Sequence, residues 1–323
     1  MGIKTKIGWT QNTWNPWWGC THVSEGCDRC YAEDFAGFTA ANLARQWGID
    51  PPGRIWGPGS ARMIVPDHLW AKPIAWNARA ARNGEVVHVF NGSMCDVFER
   101  RSNNNDELDA PRARLWKLIE STPFLIWMLL TKRPQNAAKM VPEHWMRDGF
   151  PKNVWVGATT ENQYEFDRRV AALAELPAAV RFISAEPLLG PLDISAHAGS
   201  LQWIIGGGES GPGSRPMEMA WIRSLRDQST AHKIPFFFKQ WGNWVPNGEG
   251  DGLVRIRTKD TRELDGETWS AMPDGSLPAV HAPKAKRPRA APPAPAPVDL
   301  SKVPTAALLA EIQRRMRAST SRP

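Results

Sequence analysis

Three of the four cysteines, Cys20, Cys27 and Cys30, stand close together at the spacing C-x6-C-x2-C. Thiolates are soft ligands that suit zinc or iron–sulfur clusters. Three thiolates on a [4Fe–4S] cluster leave one iron open, and that iron can take S-adenosylmethionine as a ligand. A closed structural zinc site wants four ligands, and His22 is the fourth at hand. The spacing leaves both readings open. Zinc sites more often repeat the C-x2-C pair downstream, and this chain has no second pair. Cys95 is isolated and reads as a small buried residue.

Further chemistry-bearing residues follow a series of short apolar runs. Val86–Phe90 leads into Asn91-Gly-Ser93-Met-Cys-Asp96, and Phe124–Leu130 into Thr131-Lys132-Arg133. The run at 154–156 leads to Thr159-Thr160-Glu161-Asn162, and 180–183 to Ser184-Ala-Glu186. The run at 203–205 leads to Gly206-Gly207-Gly208-Glu209, and 235–238 to Lys239. Helix-like stretches at 30–47, 106–121, 161–175 and 218–232 lie between them, and a short strand near Ile7–Trp9 begins the series. Strands alternating with helices imply parallel pairing through crossovers. Near-continuous apolar strands imply burial on both faces. The expected fold is α/β, a partial TIM-like (β/α) barrel of about six βα units. A doubly wound open sheet is the alternative.

In both architectures a site lies at the carboxyl ends of the strands. Six polar clusters in succession there point to one shared site and to an enzyme. Glu186 and Glu209 are proton carriers or substrate ligands. Lys132, Arg133, Arg215 and Lys239 suit an anionic substrate. The catalytic candidates are Glu186, Glu209, Lys132 and Lys239. Gly207 and Gly208 allow close approach of backbone to a ligand. Their loop lacks both the phosphate-loop and the dinucleotide patterns. Most of the 17 tryptophans sit in apolar runs and read as core, with Trp241 and Trp244 as candidates for base stacking. Trp17 and Trp18 read as core that could also shield the cysteine site from water.

Several motifs occur in a fixed order: Trp14-Asn-Pro with Gly19-Cys20, Gly26-Cys27-Asp-Arg-Cys30-Tyr-Ala32, Asp96-Val-Phe98 and Leu130-Thr-Lys-Arg-Pro134. Next come Val154–Thr159 with Glu161-Asn162, Phe182–Leu189, Gly207–Gly211 with Arg215-Pro216, and Phe238–Gly242. In these motifs, over residues 5–245, the chain resembles the radical-S-adenosylmethionine-like proteins of phages and bacterial mobile elements. The resemblance implies a [4Fe–4S] cluster on Cys20, Cys27 and Cys30. It also implies S-adenosylmethionine, an external electron donor and a 5′-deoxyadenosyl radical. By analogy of strand order, Ser93 and Asp96 face the cofactor's ammonium, and Thr159, Thr160, Glu161 and Asn162 its ribose. Tyr31 faces the adenine. The first cysteine gap is longer than the common C-x3-C-x2-C, which changes the loop around the cluster.

The formal net charge of +7 is confined to one end. Residues 281–323 hold nine basic side chains against Asp299 and Glu311, so residues 1–280 are neutral. Any general attraction to phosphate belongs to this tail. The expected division is a barrel at 1–242, a small irregular or β appendix at 243–280, a Pro/Ala/Lys linker at 281–299 and a short amphipathic basic helix at 300–323. The tail is expected to be disordered, with its helix docking a partner protein or nucleic acid. No apolar run approaches the roughly 18 residues of a membrane span. The first residues lack a signal-peptide stretch, which places the chain in the cytoplasm. The expected substrate is a nucleotide or nucleic acid, modified or repaired. Two rival readings are a zinc-stabilised nucleic-acid-binding module without catalysis and a hydrolase using Glu186 and Glu209.

Overall fold

The computed structural model describes residue 5 and residues 7–101, 106–248, 250, 252–256 and 262–275. The chain divides into two units, 1–280 and 281–323; the linker and the basic helix expected in the second lie outside the described residues.

Seven parallel strands form the main sheet: β1 (Asn12–Thr13), β2 (Val87–Asn91), β3 (Leu125–Thr131), β4 (Val154–Thr159), β5 (Val180–Ala185), β6 (Trp203–Gly207) and β7 (Phe236–Gln240). They lie side by side in chain order, every neighbouring pair parallel. A doubly wound sheet would reverse that order at a switch point. An unbroken order instead winds one way, as in a (β/α) barrel. The ends of the series, β1 and β7, do not pair, so the fold is an α/β partial barrel.

The crossovers are carried by α1 (Tyr31–Trp47), α2 (Ala71–Asn83), α3 (Asp109–Glu120), α4 (Pro134–Met140), α5 (Glu143–Asp148), α6 (Gln163–Ala174) and α7 (Met219–Ala231). Three of these, α2, α4 and α5, are additional to the four helical stretches read from periodicity. Pro73 in the first turn of α2, and Pro134 opening α4, sit where a missing N–H costs nothing, although they look like breakers in the sequence. Between β5 and β6 the crossover holds only a 3-10 turn, Ser195–Ser200. The first strand falls at Asn12–Thr13, later than the expected Ile7–Trp9, because Trp9 is spent inside the barrel.

Two apolar layers flank the sheet. Helices pack on the outer face against Val89, Leu129, Val156, Ile183, Ile204 and Phe238. The inner face is an aromatic floor of Trp9, Phe90, Met128, Trp155, Phe182, Trp203 and Phe237. Trp203 is its hub, with ring centroids 5.4–6.2 Å from Trp9, Trp155, Phe182 and Phe237. Gly157 makes room for this layer, because a Cβ there would lie 2.3 Å from the Phe182 ring. Residues beyond β7 form two short ladders, 244–246 with 253–255 and 263–264 with 267–268. Ser270 then bridges antiparallel to Phe237 on the edge strand, and Trp203 Nε1 donates to the Ala271 carbonyl.

Candidate active site

The alternation of a strand, with a side-chain period of two, builds the site. Starting from each floor residue and stepping by two toward the carboxyl end, apolar gives way to small or polar. Phe90 leads to Gly92, Met128 to Leu130 and Lys132, and Trp155 through Gly157 to Thr159. Phe182 leads to Ser184 and Glu186, and Phe237 to Lys239. All of these end residues line one pocket, together with Cys20, Cys27 and Cys30. The pocket is open to solvent at its mouth.

Each cysteine reaches the pocket by a different local device. Cys20 follows a short strand, Trp17–Trp18, paired with Met63–Ile64. Gly19 turns the chain there at φ 112°, and a Cβ would meet the Ile55 carbonyl at 2.2 Å. Cys27 lies in a 3-10 turn, and Cys30 is the N-cap of α1. All three are free thiols. Burial pushes the Cys20 thiol up to about 12, partly offset by Arg133. Burial also raises Cys30, against the pull of the Glu33 and Ala32 amides of the helix start. Cys95, the fourth thiol on the pocket wall, is raised well above its ordinary value by burial.

Among the described residues no group of three or more His, Cys, Asp or Glu side chains is arranged to hold a metal ion. His22, the fourth ligand a zinc site needs, is tied to Glu33 at 2.7 Å on the surface.

Behind Cys20 lies a buried charge network. Asp96 accepts from Thr131 Oγ1 at 2.7 Å, Arg133 Nη1 at 2.8 Å, and the amides of Phe98 at 3.0 Å and Lys132 at 3.1 Å. Burial raises its carboxyl, but Arg133 and these donors outweigh burial and hold it below the usual carboxylate range. Asp96 lines the pocket while each of its oxygens already accepts two bonds within the fold. Arg133, one of the cations offered to an anionic substrate, is likewise consumed here.

The residues assigned to ribose separate. Thr159 faces the pocket. Thr160 is out of phase with it, and Glu161 lies beyond the strand end; both are fully buried away from the pocket. Glu161 pairs with Arg169 at 2.6 Å and accepts from Ser24. The Thr160 hydroxyl has no hydrogen-bond partner among the described residues. Asn162 caps α6, accepting from the Glu165 amide at 2.9 Å, and donates to Glu25. These three therefore serve packing and capping in the fold and do not line the pocket.

Ser93 lines the pocket and accepts from Asn15 Nδ2 at 2.9 Å. The Tyr31 hydroxyl donates to the Ser93 carbonyl at 3.1 Å, its ring half-exposed at the mouth. Glu186 pairs with Lys239 at 2.6 Å, and both line the pocket. Glu209 is held by Arg215 through the backbone amide and both guanidinium edges, at 2.6–3.0 Å. Of the four cations offered to an anionic substrate, three are thus paired. The Lys132 ammonium has no hydrogen-bond partner among the described residues, and it acts electrostatically on Cys30 and Glu161. Gly208 lines the pocket while Gly207 lies in β6 behind it. The glycine at 208 answers to the segment after β7, since a Cβ would meet the Trp241 carbonyl at 2.0 Å. Trp241 is core, and the half-buried Trp244 donates its indole N–H to the Ser214 carbonyl. Trp17 and Trp18 are buried core.

Sequence reasoning missed two contributors. Asn15 accepts from the amides of Gly92 and Met94 at 3.1 Å, which fixes the loop after β2. Ser184, named in its polar cluster, faces the pocket two residues beyond Phe182. Arg29 lines the mouth, but nothing in its sequence surroundings sets it apart. A second groove shares Tyr31, Ser93 and Met94 with the pocket and runs along α1 past Phe35, Thr39, Asn42 and Gln46.

Solved structures of spore photoproduct lyase variants resemble the chain distantly. One, with bound AdoMet and dinucleoside spore photoproduct, is 12% identical at a TM-score of 0.38 and covers 74% of this chain; the chain spans 58% of that protein's length. A second is 12% identical at a TM-score of 0.40, over 80% of this chain and 73% of its own. No curated protein matches the sequence. Residues 4–273 match the family described as "Protein of unknown function (DUF5131)", and the chain belongs to that family.

Proposed function

We propose that the protein is a radical S-adenosylmethionine enzyme, with Cys20, Cys27 and Cys30 holding a [4Fe–4S] cluster. One observation carries the reading: three unpaired thiols line a single pocket at the carboxyl ends of a partial barrel. Held by these three thiolates and given one electron by an external donor, the cluster would supply the reductive cleavage of S-adenosylmethionine to methionine and a 5′-deoxyadenosyl radical.

The chain's own residues bind, orient and exclude water. The Lys132 ammonium, without a hydrogen-bond partner among the described residues, is placed for the cofactor's carboxylate. Ser93, fixed by Asn15, offers a hydroxyl to the ammonium end, and Thr159 offers one to the ribose. Tyr31 borders the adenine. Trp9 and Phe90, which line the pocket from the floor, keep water from below it. The Glu186–Lys239 pair can hold or pass a proton between Oε and Nζ on the substrate side. Glu209 positions the loop after β6 through Arg215.

For the substrate we propose a nucleotide or nucleic acid. Arg29 offers positive charge at the mouth, and the adjoining groove offers aromatic and amide side chains for a base. The test is anaerobic reconstitution with iron and sulfide, followed by metal and sulfide analysis. Four irons per chain in the wild type, lost in Cys20→Ala, Cys27→Ala and Cys30→Ala, is the expected result. Stoichiometric zinc with no cluster would overturn the reading.

A further inference from the structure

We propose that Arg133 is a positioning residue that raises the reduction potential of the cluster through the sulfur of Cys20. This rests on the cluster assignment above. Arg133 Nη1 lies 3.6 Å from Cys20 Sγ, and Nη2 donates to the carbonyl of the next residue, Thr21, at 2.6 Å, so the guanidinium is held against the sulfur. The side chain is only 8% exposed.

Two carboxylates stand behind it. Asp96 accepts from Arg133 Nη1 at 2.8 Å, and Glu99 lies 3.9 Å from Nη2. Glu99 is in turn held by Arg62, at 2.7 and 3.0 Å, and Arg62 reaches forward to the Thr21 hydroxyl at 2.8 Å. The network therefore has two cations and two anions and adds no net charge. Its orientation decides its effect. Both guanidinium groups hydrogen-bond the Cys20–Thr21 segment, and at the Cys20 sulfur Asp96 and Glu99 each push less strongly than Arg133 pulls. The sulfur thus meets the positive end of a buried, preorganised dipole.

Reduction adds one electron, from the external donor, with no bond or proton exchanged. The added negative charge is stabilised by a nearby donor and cation, most strongly where water is excluded. Hydrogen bonds to cluster sulfurs and local charge are among the factors that set such potentials. Cys30 meets a different environment, the amide end of α1, so the ligands are inequivalent.

The experiment is redox titration of the reconstituted full-length protein, followed by electron paramagnetic resonance of the reduced cluster. Arg133→Met is expected to move the midpoint to more negative potential, and Arg133→Lys to move it less. Because Arg133→Met strands buried carboxylates, a paired variant, Asp96→Asn with Arg133→Gln, removes one charge of each sign. It is expected to move the midpoint in the same direction. Unchanged midpoints in cluster-bearing Arg133→Met and paired variants would overturn the proposal while leaving the cluster assignment intact. Failure of the wild type to bind a cluster overturns the cluster assignment instead, and the role of Arg133 with it.

Discussion

At the scale of single residues, charge pairing decides which polar side chains remain available for chemistry. Asp96 and Glu161 look like ligand carboxylates in the sequence, yet each is consumed by a buried arginine. Asp96→Asn leaves Arg133 without its charged partner, and breaking such a buried pair costs about 3–5 kcal/mol. Denaturant unfolding should show that loss. The acid dependence follows from the depressed folded-state value of Asp96. Its contribution is complete above the unfolded carboxylate value of about 4 and fades as the pH falls through the lower folded value. Unfolding midpoints of the wild type should drop in that acid window, and those of Asp96→Asn should drop less. Spacing made the three thiols legible, and residue type nominated the charges. Their partners were not legible, because Arg133–Asp96 and Arg169–Glu161 depend on how crossovers bring side chains together.

At the scale of elements, the strand register carries the site. A period of two separates Thr159, which faces the pocket, from Thr160, which does not. The apolar runs were readable because both faces of a parallel sheet are buried. The inward phase was not readable, because both faces of each run are apolar. Phe182 shows the phase once the floor is known. Gly157→Ala should intrude on the Phe182 ring and cost about 1–3 kcal/mol in thermal or denaturant unfolding. Asn15→Ala removes the acceptor for the Gly92 and Met94 amides. It should cost about 1–3 kcal/mol, and it should weaken S-adenosylmethionine binding, measured by calorimetry, more than it lowers iron content. The helices α2 and α4 escaped the periodicity reading because proline near a helix start looks like a breaker when the start itself is unknown.

At the scale of the whole molecule, the +7 charge marks a division of labour: a neutral body that holds the pocket, and a basic segment at 281–323 that we propose acts in partner or nucleic-acid binding. Truncation after Val280 should leave iron content unchanged and remove only the salt-sensitive part of nucleic-acid binding, measured as affinity against ionic strength. No described helix is long and apolar enough to cross a membrane. The barrel itself follows from six apolar runs, but its openness and one-way order needed the sheet pairing to be seen. The central claim is that the three thiols and the barrel mouth together cleave S-adenosylmethionine. It is tested most directly by incubating the reconstituted protein anaerobically with reductant and S-adenosylmethionine and measuring 5′-deoxyadenosine. The account predicts product from the wild type and none from Cys20→Ala, Cys27→Ala or Cys30→Ala. A reconstituted wild type that carries its cluster but yields no 5′-deoxyadenosine, or a cysteine variant that yields as much as wild type, would contradict it.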